Sequence, residues 1–252
     1  MNTRFKLISL STLVASALSI LTATVQAAGI IVVSDSPLEP ALTKVVDLYR
    51  QQTHNQVTVE FAPSPVVKKK IEGGEAADVV ILQPDFAEDL TKSGKVKAGD
   101  RPIIAHVGVG LGNRQNAPTY DISTAEKLKT TLLGADLIVF NSVKSGEAFA
   151  NVLQRLGIAE TLKPKIVRTA PNDIFEPVLK GNGNDMVAGT IPLIATTPGI
   201  KLLGPLPGDL KSTLTYTAVP LANTSQRDTA QGFIAFLTSP QAKEIFAANG
   251  AK

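Results

Sequence analysis

The chain has 252 residues, 44% apolar and 19% charged, with a formal net charge of +3. That is long enough to bury a sizeable core and too apolar for a disordered chain. With no cysteine and only 2 histidines, a disulfide scaffold, a thiolate zinc site, a cysteine nucleophile, a lipid-modified cysteine and a multi-histidine metal centre are all excluded.

Residues 1–27 read as a secretory signal. Arg4 and Lys6 form the positive start, residues 7–21 an apolar stretch diluted with Ser and Thr, and Val25-Gln26-Ala27 a signal-peptidase pattern. Removing this segment takes two of the 25 basic residues and none of the 22 acidic ones, so the rest of the chain carries a net charge of +1. There is no basic stripe interleaved with aromatics, so nucleic acid is not an expected partner. No later apolar run approaches the roughly 20 residues of a membrane span. The expected location is the periplasm of a bacterial cell, without a lipid anchor, or the medium outside it.

From residue 28 onward, strand-like and helix-like segments alternate. Residues 29–33 are a nearly continuous β-branched run, as in a buried parallel strand. Leu38, Ala41, Leu42, Val45, Val46 and Tyr49 then recur on one helical face. Residues 57–61 alternate apolar and polar as a second strand. Val67 and Ile71 mark a short helix stopped by Gly73-Gly74, and residues 78–82 make a third strand. Phe86 and Leu90 place a further helix ending near Gly94. This βαβαβ opening predicts an α/β sheet with helices on its faces.

A second cycle follows, with strands at 103–111, 137–140, 166–167 and 185–189. Helices are expected at 149–156 and 174–179. After the Pro/Gly-rich residues 199–208 come a strand at 214–221, a helix through Ala230 and Leu237, and a last helix opened by Ser239-Pro240. If the long strands 103–111 and 214–221 both cross between lobes, residues 28–107 plus 214–252 form one lobe and residues 108–213 the other. A ligand cleft would lie between them.

Four times a polar residue stands where a strand turns into a helix: Ser36, Ser64, Ser145 and the pair Asn172-Asp173. Each is expected as a helix N-cap, beside unpaired N–H groups and the positive end of the helix dipole, where an anion can bind. Ser36 with Glu39 also spells a capping box. Catalytic alternatives find less support. His54 sits in a polar turn, and His106 lies inside an apolar run as the one histidine that could face a cleft. There is no Gly-x-Ser-x-Gly elbow. Gly108, Gly110 and Gly112 are spaced wrongly for a dinucleotide fingerprint.

Several stretches carry a resemblance. Val32-Val33-Ser34-Asp35-Ser36-Pro37-Leu38, Phe61-Ala62-Pro63-Ser64-Pro65, Ala77-Asp78-Val79-Val80-Ile81, Leu162-Lys163-Pro164-Lys165-Ile166-Val167 and the C-terminal Phe233-Ile234-Ala235-Phe236-Leu237-Thr238-Ser239-Pro240 resemble periplasmic molybdate-binding proteins of ABC importers. The resemblance implies a two-lobe periplasmic-binding-protein fold of type II. It also implies a tetrahedral dianion held by hydroxyls and backbone N–H groups of both lobes. Ser64 matches a family serine, and Ser36 lies within one position of the other. Ser145 falls where a backbone N–H is used, Asn172-Asp173 at a helix start of the second lobe, and Thr190 about where the family has a tyrosine.

The pattern departs from the family at Ser34-Asp35, where small apolar residues are usual, and at the contracted loop Asn141-Ser142-Val143-Lys144. Lys68, Lys144 and Arg168 lie near the proposed anion sites, and a fixed cation in the cleft would suit a carboxylate. The expectation is therefore a monomeric, exported binding protein without a cofactor, resident metal or catalytic residues. It captures a small anion, a molybdate- or tungstate-type oxyanion first, and delivers it to the membrane permease of an ABC importer. An organic carboxylate on the same fold is the alternative, and a secreted hydrolase using His106 a more distant one.

Overall fold

The computed structural model describes residues 29–171 and 173–252. The expected leader, residues 1–27, and Asn172 lie outside the described residues. The first half of the chain supplies β1 (Gly29–Asp35), α1 (Glu39–Thr53), β2 (Gln56–Ala62), α2 (Ser64–Glu72), β3 (Val79–Leu82), α3 (Pro84–Lys92) and the long β4 (Ile103–Arg114). Next come α4 (Ala125–Leu133), β5 (Leu137–Asn141), α5 (Lys144–Arg155), α6 (Ala159–Leu162), β6 (Ile166–Thr169), α7 (Glu176–Lys180), β7 (Asp185–Thr190), α8 (Ile191–Thr196) and β8 (Ile200–Pro205). The chain closes with β9 (Thr213–Pro220), α9 (Arg227–Leu237) and α10 (Pro240–Ala248).

The strands run in the order β2-β1-β3-β9-β4-β7-β5-β6, with β8 paired to β4. The trio β2, β1 and β3 is parallel, and so is β6, β5 and β7. The antiparallel strands β9 and β4 join the two trios. β4 pairs with β9 over residues 103–108 and with β7 over residues 109–113.

Four clusters of buried side chains result, and two of them hold an aromatic pair. Tyr49 of α1 and Phe233 of α9 meet edge to face at 5.1 Å in a core with Val32, Ile81, Val107 and Tyr216. Phe140 and Phe149 do the same at 5.2 Å in a core with Leu111, Leu132 and Met186. The molecule is a two-lobe α/β fold.

Three elements depart from the expected pattern. Residues 125–133 form a helix, although Leu128 and Leu132 are the only large apolar residues of α4 fully buried. Residues 191–196 form α8 directly after β7, with Pro192 in its first turn where a missing N–H costs nothing. The Pro/Gly-rich stretch becomes β8, because pairing with β4 satisfies its backbone groups.

The glycines of β4 explain that packing. Gly108, Gly110 and Gly112 lie two apart, so they share one face of the strand. A Cβ at Gly110 would stand 2.8 Å from the Gly204 carbonyl, and one at Gly112 2.6 Å from the Ile194 side chain and 2.8 Å from the Lys201 carbonyl. The bare strand face is what lets α8 and β8 sit against it. Gly112→Ala is expected to destabilise the protein by about 1–3 kcal/mol, the usual cost of overpacking. Urea unfolding measures it.

Candidate ligand-binding site

Every parallel strand leads into one cavity of about 220 Å³, lined by the last residue of the strand or by residues just after it. From the first trio come Asp35 and Ser36, then Ser64 after β2, then Gln83 and Phe86 after β3. From the second come Asn141 to Ser145, Pro171 and Thr190. Ligands of open α/β sheets bind outside the carboxyl ends of the strands, because helix N-termini gather there. The volume lies below the roughly 300–1,000 Å³ of drug-sized ligand sites, so the cavity suits a small solute.

At the start of α2 the chain has placed its own anion. The Ser64 hydroxyl donates to Asp35 Oδ2, and accepts from the Gln83 backbone N–H at 3.2 Å. The Gln83 side-chain amide reaches the same Asp35 oxygen at 3.5 Å. Asp35 is only 4% exposed. Burial pushes its carboxyl up from 3.8 to about 6, against the opposing bonds from Ser64, Ser36 and Gln83. Ser64 has one hydroxyl proton, and Asp35 holds it.

The start of α5 is filled in the same way. Asn141 Oδ1 accepts from the Val143 N–H at 3.2 Å and from the Gly146 N–H at 3.0 Å. The Ser145 hydroxyl lies within 3.2 Å of both polar atoms of the Asn141 side chain. A Cβ at position 146 would come 1.9 Å from the Asn141 carbonyl oxygen, so Gly146 permits the turn.

The expected caps need correction. Ser36, Ser64 and Ser145 are not N-caps; those positions belong to Leu38, Pro63 and Val143, none with a side-chain cap bond. The Ser36–Glu39 capping box does not form, because Ser36-Pro37-Leu38 makes a separate 3₁₀ turn ahead of α1. Ser64 and Ser145 lie within the first turn, where their hydroxyls bond Asp35 and Asn141 instead. The expected helix at 174–179 starts only at Glu176, with Pro177 in its first turn and Phe175 as its N-cap. Asp173 is exposed and does not line the cavity, so it is no helix cap. Asn172 lies outside the described residues.

Of the three cations, only Lys144 lines the cavity. It pairs with Asp85 of α3 at 2.6 Å across the cleft and stands 5.4 Å from the centre of the Phe86 ring. Lys68 pairs with Asp89 and Glu72 on the surface, and Arg168 stacks on Phe140. His106 bonds the Thr215 hydroxyl at 3.1 Å and does not line the cavity that holds Ser64. Among the described residues no cluster of three or more His, Cys, Asp or Glu could hold a metal ion, and no helix is long and apolar enough to cross a membrane.

Three buried polar atoms around the cavity have no hydrogen-bond partner among the described residues: Thr190 Oγ1, Tyr216 Oη and Gln83 Oε1. Such atoms are costly unless something bonds them. Burial, then the negative charge of Asp35, pushes the Tyr216 phenol well above its ordinary 10, so it keeps its proton. Sequence reasoning named Thr190 but missed Gln83 and Tyr216. Gln83 directly follows the strand expected at 78–82, and Tyr216 lies inside the strand expected at 214–221.

A family model for bacterial extracellular solute-binding proteins matches residues 30–252. An aconitate isomerase of a Pseudomonas species is 23% identical over 227 residues, covering 88% of this chain and 86% of that protein. A molybdate-binding protein of Azotobacter vinelandii is 27% identical over 250 residues, 96% of this chain and 97% of that one. The solved structure of the Azotobacter vinelandii periplasmic molybdate-binding protein shares the fold, with a TM-score of 0.74 at 19% identity over 88% of this chain and 98% of that one.

The Asp35 carboxyl makes stability pH-dependent. Its value in the folded chain lies above the unfolded one, so its contribution is full below pH 3.8 and is lost as pH rises to about 6. Asp35→Asn removes that loss. Relative to wild type, the variant is expected to gain about 3 kcal/mol between pH 3.5 and pH 7.5, at about 1.4 kcal/mol per pH unit. Denaturant titrations at the two pH values test this, and the difference between them cancels any pH-independent cost of the substitution.

Proposed function

We propose, from the premise that this chain belongs to the bacterial extracellular solute-binding protein family, that it captures a small organic polycarboxylate in the cleft. In this reading residues 28–107 plus 214–252 form one lobe and residues 108–213 the other. Closure between them buries the solute, and the loaded protein docks on the membrane permease of an ABC importer in the periplasm. Ser36, Ser64, Ser145 and Thr190 surround the solute.

The observation that carries the carboxylate reading is the Asp35–Ser64 hydrogen bond. A tetrahedral dianion at α2 would need the Ser64 proton and would lie against a buried carboxylate of like charge. A carbon skeleton can instead put its carboxylates near Lys144, Thr190 and Tyr216 and turn a hydrogen toward Asp35. The apolar lining of Phe86, Ile174 and Leu193 fits such a skeleton. The Lys144–Asp85 pair is half exposed and worth at most about 1 kcal/mol, so Lys144 can change partners at little cost.

The second reading, a molybdate- or tungstate-type oxyanion, is favoured by the relative that binds molybdate. A melting-temperature screen separates the two. The first predicts a rise with trans-aconitate or another di- or tricarboxylate, equivalent to about 2.7 kcal/mol when ligand stands at a hundred times its Kd. A rise with molybdate or tungstate and none with any polycarboxylate refutes it. Lys144→Ala is expected to weaken polycarboxylate binding about tenfold, by titration calorimetry, while the ligand-free melting temperature stays nearly unchanged.

A further inference from the structure

We propose that this cleft is also a proton-transfer site. Asp35 takes a hydrogen from the carbon beside a carboxylate of a bound unsaturated polycarboxylate and returns it at the far end of the allylic system, so that the double bond moves. The inference rests on the polycarboxylate reading above and adds a reaction to it.

A buried carboxylate is a poor feature for holding an anion. It costs folding free energy, and it repels the ligand's own charge. As a base it has a use, and its surroundings fit that use. Asp35 lies at the end of β1, lines the cavity, and is oriented by Ser64 and Gln83 on one oxygen. It is a short, rigidly mounted acceptor rather than a mobile surface acid. Its titration near 6 leaves it ionised at neutral pH and still close enough to the working pH to accept a proton.

The step balances without a cofactor. One C–H bond breaks, its electron pair spreads over the allylic carbons and the adjacent carboxylate, and an O–H bond forms on Asp35. That O–H bond then breaks as a new C–H bond forms at the other end of the system. Nothing is oxidised or reduced, and no co-reactant enters.

Charge builds on the ligand's carboxylate while the proton is away. Tyr216 and Thr190 line the same cavity with hydroxyls that have no partner among the described residues. Donors held ready in a buried site stabilise such charge far better than water does. Phe86 and Leu193 keep part of the wall dry, which protects the intermediate from stray protonation.

The test uses the exported protein with trans-aconitate in D₂O, followed by proton NMR. Carbon-bound hydrogens of the ligand are expected to exchange for deuterium, with conversion between cis and trans forms, at least a thousandfold faster than in buffer. Asp35→Asn, at ligand concentrations that saturate it by thermal shift, is expected to lose at least a hundredfold in exchange rate. Tyr216→Phe is expected to lose rate with a smaller change in ligand affinity. A wild-type protein that melts higher with trans-aconitate yet exchanges no faster than buffer overturns proton transfer and leaves binding standing. No melting shift with any polycarboxylate overturns both. Exchange by Asp35→Asn at the wild-type rate overturns the assignment of Asp35.

Discussion

The Asp35 carboxylate accepts the Ser64 hydroxyl at the opening of α2, and the character of the cleft follows from that bond. A helix start attracts negative charge because its first N–H groups lack intrahelical partners. Here the chain supplies the charge itself and spends the serine's only proton on it. Across the cleft, the Asn141 side chain takes the N–H groups of Val143 and Gly146 at the start of α5. Two places that would hold an oxyanion by neutral donors are thus occupied from within. The proposed reading therefore turns to other groups of the cavity: the Lys144 ammonium and the hydroxyls of Thr190 and Tyr216.

The scaffold makes this arrangement possible by aiming parallel strands of two trios at one gap. β1, β2 and β3 end at Asp35, Ala62 and Leu82, and β5, β6 and β7 end at Asn141, Thr169 and Thr190. The antiparallel strands β4 and β9 hold the trios in register with each other through continuous pairing. Tyr216 belongs to β9, so a strand that joins the halves also carries a cavity hydroxyl. Packing supports the same geometry. The bare glycine face of β4 admits α8, whose first turn follows Thr190 directly and fixes where that residue sits.

Binding and reaction in such a site differ by one feature. A binder needs donors that match the charge of its solute, and a reactive site needs in addition an acceptor placed at a carbon. In the proposed reading Lys144, Thr190 and Tyr216 serve the first need. In the same proposal the second falls to Asp35, a buried carboxylate whose affinity for protons is raised by desolvation. The two proposed roles fit one pocket without conflict, because Asp35 lies at the end of β1 while Lys144 approaches from α5.

Much of the fold was legible along the chain. The runs 29–33, 78–82 and 137–140 and the one-sided stripes of α1 and α9 are patterns that only burial of a single face explains. The local chemistry of caps was also visible, but its outcome was not. Ser36, Ser64 and Ser145 carry capping side chains, and each sits one or two places away from a cap, because Pro37 sets up its own turn and Asp35 and Asn141 offer better partners. Nothing local marks Gln83 or Tyr216 as cavity residues, since each acquires its neighbours from strands far off in sequence. Periodicity and composition determined the alternating α/β order, since these depend on which faces are apolar. Tertiary structure alone decided which polar atoms meet, since a hydrogen bond depends on positions in space that residues 29 or 48 places apart along the chain cannot announce.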